Sequence, residues 1–239
     1  MKEKNLVVEK QEEASNSRKD NSFLTLNCYN KKMPKLNVLV AGSTGYIGVQ
    51  LIKLLVKHSN VNIKYLCGNT SVGKNISSYE KSLSSKKLPK IIRYNKELLK
   101  NIDLVFTALP NGEAQDISND LLKHNILIDL AADFRLNKAS NYLKWYKQKH
   151  RSVKNIKKSI YSLPEINGDK LKKFNIIGCP GCYPTSILLP LIPLVKKNRN
   201  NDIWIYGTCA NKKAEFCTQQ NDEVTRQSAQ CTHYIQICT

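Results

Sequence analysis

Acidic side chains are scarce in this chain: 19 Asp and Glu stand against 38 Lys and Arg in 239 residues, a formal charge of +19 with histidine neutral. The excess is nearly all lysine, scattered through KKMPK, SSKKLPK, KNIKKS and KLKK without interleaved aromatics or a finger-like Cys/His spacing. Scattered lysine attracts polyanions weakly and without sequence preference, so a dedicated nucleic-acid function is not expected. A lysine-rich background or a preference for anionic metabolites accounts for the charge. Long apolar runs are also missing. No stretch approaches the roughly 18 residues that a membrane-spanning helix needs. The opening MKEKNLVVEKQEEASNSRKDNS has no continuous apolar core of a secretory signal, and its four glutamates do not suit an organelle transit peptide. A cytoplasmic location without a membrane partner is the expectation. The eight cysteines, at 28, 67, 179, 182, 209, 217, 231 and 238, lack a regular framework. They read as thiols of a reducing compartment rather than staples.

What is present begins at Leu36. Residues 1–34 are polar and without usable periodicity, the pattern of a flexible leader, and either Met1 or Met33 can be the biological start. KLNVLVAG is then a short β-branched run, STGYIGVQLIKLLVKH is glycine-rich and then helical, and VNIKYLCG reads as a second strand. In the helix, Ile47, Leu51, Leu54 and Leu55 recur at helical spacing and are expected to face a sheet. Short apolar runs (KIIRY, DLVFTALP, ILIDLAADF) continue to alternate with helical segments, which predicts an α/β fold with a doubly wound parallel sheet of the Rossmann type over 35–148. YLKWYKQKH predicts a helix leading out of that sheet. An incomplete second α+β domain, carrying the catalytic residue, is expected over 149–200. The remainder, 201–239, is an atypical tail with one candidate strand, IWIYG, and a Gln/Thr/Asn/Cys-rich continuation. Residues 1–33 and about 205–239 supply too little apolar surface to offset their ordering entropy and are expected to be mobile.

VLVAGSTGYIG spaces Gly42, Gly45 and Gly48 three apart between a strand and a helix. Such glycines permit a tight turn, a close backbone approach to a pyrophosphate, and close packing of the helix on the strand, with the helix N-terminus meeting the phosphate charge. The spacing is GxxGxxG rather than the GxGxxG fingerprint, and a purely structural turn is the competing reading. An NAD site normally carries Asp or Glu about 20 residues further on, at the end of the second strand. Here LCGNTSVGKN has no acid, and Ser71, Gly73 and Lys74 are placed to surround a 2'-phosphate. NADP is therefore expected over NAD.

GCPGCYPTS admits a redox dithiol, two metal ligands, a lone nucleophile, or buried inert thiols. Zinc needs two further ligands, and the tail cysteines and His233 offer no recognisable spacing; no metal is expected. A thioredoxin-like dithiol does not come with a dinucleotide loop. Hydride transfer to a carboxyl-level carbon, by contrast, needs an activated acceptor such as a cysteine thioester. Cys182 suits that role: Pro180-Gly181 makes the turn and Cys182 opens the following helix, whose unpaired N–H groups favour thiolate. Cys179 ends the strand FNII and is expected to pack or line the crevice.

AGSTGYIGVQLIKLL, DLVFTALPNG, LIDLAADFRL, YSLPE and GCPGCYPTS together, in this order over roughly 35–197, resemble the N-acetyl-gamma-glutamyl-phosphate reductase family of arginine biosynthesis. The resemblance implies an NADP-dependent oxidoreductase of the phosphorylating aldehyde dehydrogenase type. It would convert a small acyl phosphate, N-acetyl-L-glutamyl 5-phosphate, to N-acetyl-L-glutamate 5-semialdehyde and phosphate through a cysteine thioester. It makes Cys182 the catalytic cysteine and Gly42, Ser43, Thr44, Gly45, Tyr46 and Ile47, up to Gly48, the cofactor loop. Ala108, Leu109 and Pro110 would border the nicotinamide. Arg135 would either form a salt bridge that organises the domain junction or stand near the substrate phosphate. Cys179 departs from the family's usual asparagine. The family's histidine-bearing acid/base motif has no counterpart after the cysteine, and His233 lacks its surroundings, so turnover by this chain itself is expected to be weak or absent. A truncated or frame-shifted reading from about 197 is the expectation. The alternative is a non-catalytic NADP-binding regulator or scaffold. Self-association stays open.

Overall fold

The computed structural model describes residues 34–197, 203–209 and 231–237. The expected leader therefore lies, except for Pro34, outside the described residues, as does most of the tail. The first strand, β1 (Leu36–Ala41), is apolar from Val38 onward, and Val38, Leu39, Val40 and Ala41 are all buried. A strand buried on both faces belongs in the middle of a parallel sheet. Around it stand β2 (Val61–Cys67), β3 (Ile91–Ile92), β4 (Leu104–Thr107), β5 (Ile126–Asp129), β6 (Ser159–Tyr161) and β7 (Ile176–Gly178). Every pairing is parallel and the order is β3-β2-β1-β4-β5-β7-β6. The order reverses at β1 and β4, which opens a crevice at the carboxyl ends of the strands.

Successive β1 side chains point to opposite faces, and each face has its own core. Val38 and Val40 join Val49, Ile52, Leu55, Leu66 and Phe106. Leu39 and Ala41 join Leu99, Val105, Ile117, Leu127, Phe134 and Ile176 on the other side. Helix α1 (Tyr46–Leu55) covers the first face, and α2 (Glu113–Asp120) supplies Ile117 to the second.

The inner face of α1 differs from the one expected. Gly48, Val49, Ile52 and Leu55 are buried, whereas Ile47 and Leu54 are 52% and 67% exposed and Leu51 is half-buried. The cause is Gly48, whose backbone lies so close to the Gly42 carbonyl that a Cβ would collide with it. That contact fixes the rotation of the helix, and a step of one residue is roughly 100° around the axis. Leu55 meets the sheet, while Ile47 and Leu54 turn away from it.

The sheet does not stop at residue 148. After α3 (Ala139–Tyr146), the helix foreseen in YLKWYKQKH, come α4 (Val153–Ile156), β6, α5 (Pro164–Asn167) and β7, and both strands extend the same sheet. The stretch from 149 is sewn to α2 by side chains: Arg151 Nη2 donates to Asp116 Oδ2 at 2.8 Å, and Asn155 Nδ2 donates to the Ser118 carbonyl at 2.9 Å. The expected division at 148 thus falls within the connection between β5 and two further strands of one sheet. β7 leads into α6 (Cys182–Lys197). In the tail, where one strand is expected, two are present: β8 (Ile203–Cys209) pairs antiparallel with β9 (Cys231–Ile237), His233 opposite Gly207. Pairing two segments so far apart in sequence leaves no local signal.

Candidate active site

All seven parallel strands present their carboxyl ends to one edge, so the segments after β1, β2, β4, β5 and β7 converge there. The loop after β1 comes first. Gly42 has φ +81°, a conformation that side chains rarely adopt, and a Cβ there would collide with the Ala108 carbonyl. Gly42 and Gly48 are therefore required by the fold. Gly45 is not: it has φ −70° and ψ 160°, and a Cβ there would come no closer than 3.5 Å to the Gly42 carbonyl. The protein leaves this space open beside the N-terminus of α1, where no described side chain caps the helix. An open cradle over unfilled helix N–H groups fits the pyrophosphate of a dinucleotide.

The remaining loop residues divide by burial. Ser43 is fully buried, with its hydroxyl donating to the Cys67 carbonyl at 3.0 Å, so it ties the loop to β2 and is turned away from any ligand. Tyr46 and Ile47 are exposed, and Thr44 is half-buried. Ser71 is buried too: its Oγ accepts from Tyr79 Oη at 2.7 Å and lies 3.5 Å from Thr44 Oγ1. Ser71, one of the residues expected around a 2'-phosphate, is thus held inside the protein, with half-exposed Tyr79 in contact with it. Tyr79 follows the short 3-10 turn Ile76–Ser78 and carries no sequence signal linking it to Ser71. Gly73, at φ +84°, donates its N–H to the Ile91 carbonyl, and Ile91 N–H donates to the Lys74 carbonyl, so the turn is fastened to β3 while the Lys74 side chain stays exposed.

Ala108, Leu109 and Pro110 follow β4, and Ala108 and Leu109 lie against the glycine loop, with Ala108 N–H donating to the Ala41 carbonyl at 2.9 Å. Beyond them, Gly112 N–H donates to Asp133 Oδ1 at 2.7 Å, and that oxygen also accepts from Gln115 Nε2 and Tyr142 Oη. Asp133 Oδ2 is buried with no hydrogen-bond partner among the described residues. Asp129, at the end of β5, accepts from Thr107 Oγ1, Ala131 N and Asp133 N. Burial first, then the neighbouring Asp133 charge, pushes its carboxyl up to about 6. His150 Nε2 donates to the Asp133 carbonyl and its Nδ1 accepts from Ser152 N, which fixes a neutral tautomer; burial lowers its pKa. The acids of DLAADF are therefore a buried framework under the crevice, a role the sequence pattern does not disclose.

The cysteine turn is built on that framework. Gly178 packs on the Phe134 carbonyl with no room for a Cβ, and Cys179 N–H donates to the Asp129 carbonyl at 2.8 Å. Cys179 is half-buried, and burial followed by the charge of Asp129 pushes its thiol up to about 11, against the opposing pull of Arg135. It stays a thiol at neutral pH. Cys182 is exposed and is the first residue of α6. Arg135 forms no salt bridge among the described residues; its Nε donates to the Cys179 carbonyl at 2.8 Å and its Nη2 to the Leu130 carbonyl at 3.2 Å.

Comparison with known proteins supplies the family. The domain described as semialdehyde dehydrogenase, NAD binding domain, matches residues 37–174. The N-acetyl-gamma-glutamyl-phosphate reductase of Brachyspira hyodysenteriae is 44% identical over 171 residues, covering 68% of this chain and 48% of that protein. The reductase of the same name from Clostridium botulinum is 41% identical over 162 residues, covering 67% and 47%. Aspartate semialdehyde dehydrogenase from Francisella tularensis shares the fold with a TM-score of 0.51 at 15% identity, covering 75% of this chain and 45% of that one. The chain spans about half the length of the curated relatives it matches. With more than half of its residues inside the matched domain, and with the glycine loop and parallel sheet that such a domain requires, the chain belongs to the semialdehyde dehydrogenase family.

Proposed function

We propose that this chain carries the NADP-binding part and the nucleophile of an N-acetyl-gamma-glutamyl-phosphate reductase, acting in the cytoplasm on a small acyl phosphate. The observation that carries this reading is the shared sheet edge: the open cradle at Gly45 and the exposed Cys182 at the head of α6 lie on loops after strands of one parallel sheet, while Cys179 is held as a thiol. Residues 35–148 serve the cofactor, the segment from 149 to 200 begins the catalytic part, and 201–239 is a separate tail. No described helix is long and apolar enough to cross a membrane.

The cofactor would be held by Gly42, Thr44, Gly45 and the N-terminus of α1, with Thr44 and Lys74 toward the 2'-phosphate and Ala108 to Pro110 toward the nicotinamide. Bound there, NADPH supplies hydride to a thioester carbon. The chain's own contribution starts at Cys182. Its Sγ forms a bond to the acyl carbon, the bond from that carbon to the phosphate oxygen breaks, and phosphate leaves with the electron pair. After reduction, the C–S bond breaks, sulfur keeps its pair, and the carbonyl of the semialdehyde forms. The proton transfers accompanying these steps are commonly worth about 10² to 10⁴ in rate.

Titration with NADPH and NADH, followed by iodoacetamide labelling at near-neutral pH with peptide mapping, tests the reading. The expected result is tighter binding of NADPH and labelling of Cys182 ahead of Cys179. Binding of neither cofactor, or equal labelling of the two thiols, overturns it. In a turnover assay the chain's own reduction is weak or absent, and whatever activity is measured is abolished in Cys182→Ser and partly kept in Cys179→Ser.

A further inference from the structure

We propose that the opposite edge of the sheet, at the amino ends of β5, β6 and β7, carries a second binding site, for a small metabolite with two or more anionic groups on a short carbon skeleton. A cavity of about 360 Å³ opens there between the end of α2, the turn into β5, α4 and the start of β7. That volume falls within the range of small-molecule sites, roughly 300 to 1,000 Å³. Lys123 lines it from the turn before β5, Lys154 from α4 and Lys158 from the turn before β6. None of the three pairs with a carboxylate among the described residues, and no acid lines the cavity. The acids in the second half of α2 are engaged elsewhere: Asp116 pairs with Arg151, and Asp120 Oδ2 accepts from Tyr94 Oη at 3.0 Å. Three like charges around one cavity repel, and an anion among them relieves that repulsion.

The frame that holds these lysines is already built. Ser118 and Asn155 are buried, and Asn155 Nδ2 donates to the Ser118 carbonyl at 2.9 Å and to Ser152 Oγ at 2.8 Å, which fixes α4 against the end of α2. The same bond occupies one carbonyl at the negative end of α2, the feature here that opposes an anion. Leu122 N donates to Asn125 Oδ1 and closes the turn before β5, and Asn175 Nδ2 donates to the Lys123 carbonyl at 3.2 Å, tying that turn to the start of β7. Both amide nitrogens are thus satisfied within the protein, and the ammonium groups remain as donors for a ligand. A frame ordered in advance lowers the cost of binding. Leu121, Leu122 and Ile176 form an apolar wall, which a carbon skeleton covers and a bare inorganic ion leaves wet. β5 is four residues long, so about 13 Å of strand separates this cavity from Asp129 under the cysteine turn. The site is therefore distinct from the Gly45 cradle and from Cys182.

The test uses the full chain saturated with NADPH, so that the Gly45 cradle is filled, with citrate and inorganic pyrophosphate as probes and acetate at matched ionic strength as the control. Isothermal titration should give a citrate Kd of about 0.1 mM, as two or three charge-assisted contacts allow, with pyrophosphate weaker and acetate unbound. Lys154→Ala and Lys158→Ala should each weaken citrate about fivefold. Both residues are exposed, so the variants should fold as the wild type does. The pair Lys170→Ala and Lys172→Ala, on a turn outside the cavity, should leave citrate binding unchanged. Acetylation with an N-hydroxysuccinimide ester, followed by peptide mapping, locates the site: citrate should slow modification of Lys123, Lys154 and Lys158 severalfold and leave Lys170 and Lys172 unaffected. Absence of saturable citrate binding overturns the proposal. So does an equal loss in the control pair, which would leave only the general attraction of a chain of charge +19. Pyrophosphate binding more tightly than citrate overturns the assignment to a carbon skeleton. Failure to bind NADPH bears on the Gly45 cradle alone, because citrate binding is then read without it.

Discussion

Two strand-to-helix turns on the same sheet edge, one after β1 and one after β7, are held in opposite ways. The first is fixed by steric contact among its own glycines and the neighbouring loop: Gly42 against the Ala108 carbonyl and Gly48 against Gly42. Its helix is anchored by a buried face of Gly48, Val49, Ile52 and Leu55. The second has one such contact, Gly178 on Phe134, and otherwise depends on polar donors and acceptors reaching over from β5. None of residues 182–193 of its helix is buried. A binding loop can thus be specified by local sterics, whereas the placement of the reactive thiol depends on side chains some 50 residues upstream, Asp129 to Arg135.

The strongest way to break this comparison is to add a methyl group at each packed glycine. Gly48→Ala forces apart the backbone of its own turn and should cost about 3 kcal/mol or more by thermal denaturation, with NADPH binding lost. Gly178→Ala should cost a similar amount but act on the other turn. In whatever fraction remains folded, NADPH binding persists while preferential labelling of Cys182 disappears. Loss of cofactor binding in both variants would mean that the turns are not separately held.

The buried acid comes next. Asp129 has a folded pKa of about 6 against 3.8 for the free side chain, so the folded protein holds this proton longer than the unfolded one. Its contribution therefore favours folding at low pH, is lost as pH rises from about 4 to about 6, and changes no further above that. Denaturant titrations across this window should show that downward slope in the wild-type chain and not in Asp129→Asn. The same slope in both would place the titration elsewhere.

Gly45→Ala separates ligand from fold within the first turn. The protein has room for this Cβ, so stability should change by less than about 0.5 kcal/mol. A pyrophosphate lying in the cradle should bind about tenfold more weakly, as one lost close contact of roughly 1.4 kcal/mol requires. Unchanged NADPH affinity would return Gly45 to the status of an ordinary turn residue. Smallest of all, Tyr79→Phe removes the donor to Ser71 Oγ and should weaken NADPH binding about threefold with little effect on NADH.

The amino-acid sequence by itself determined the βαβ beginning of the fold. A β-branched run, three spaced glycines and an apolar helical period are local signals, and each acts within a few residues. It likewise disclosed the acid-free end of β2 and the position of Cys182 behind a Pro-Gly turn, because turn chemistry is also local. The rotation of α1 was decided only in three dimensions: Ile47, Leu54 and Leu55 are equally apolar, and the Gly48 contact with Gly42 chooses which of them meets the sheet. The pairing of Tyr79 with Ser71, the buried network of Asp129, Asp133 and His150, and the two carbonyls held by Arg135 belong to the tertiary structure as well. In a parallel sheet, segments far apart in sequence meet at the carboxyl edge, and a buried polar group takes whichever partner the topology brings within reach. Its unpaired alternative is too costly for the chain to leave that choice to local sequence.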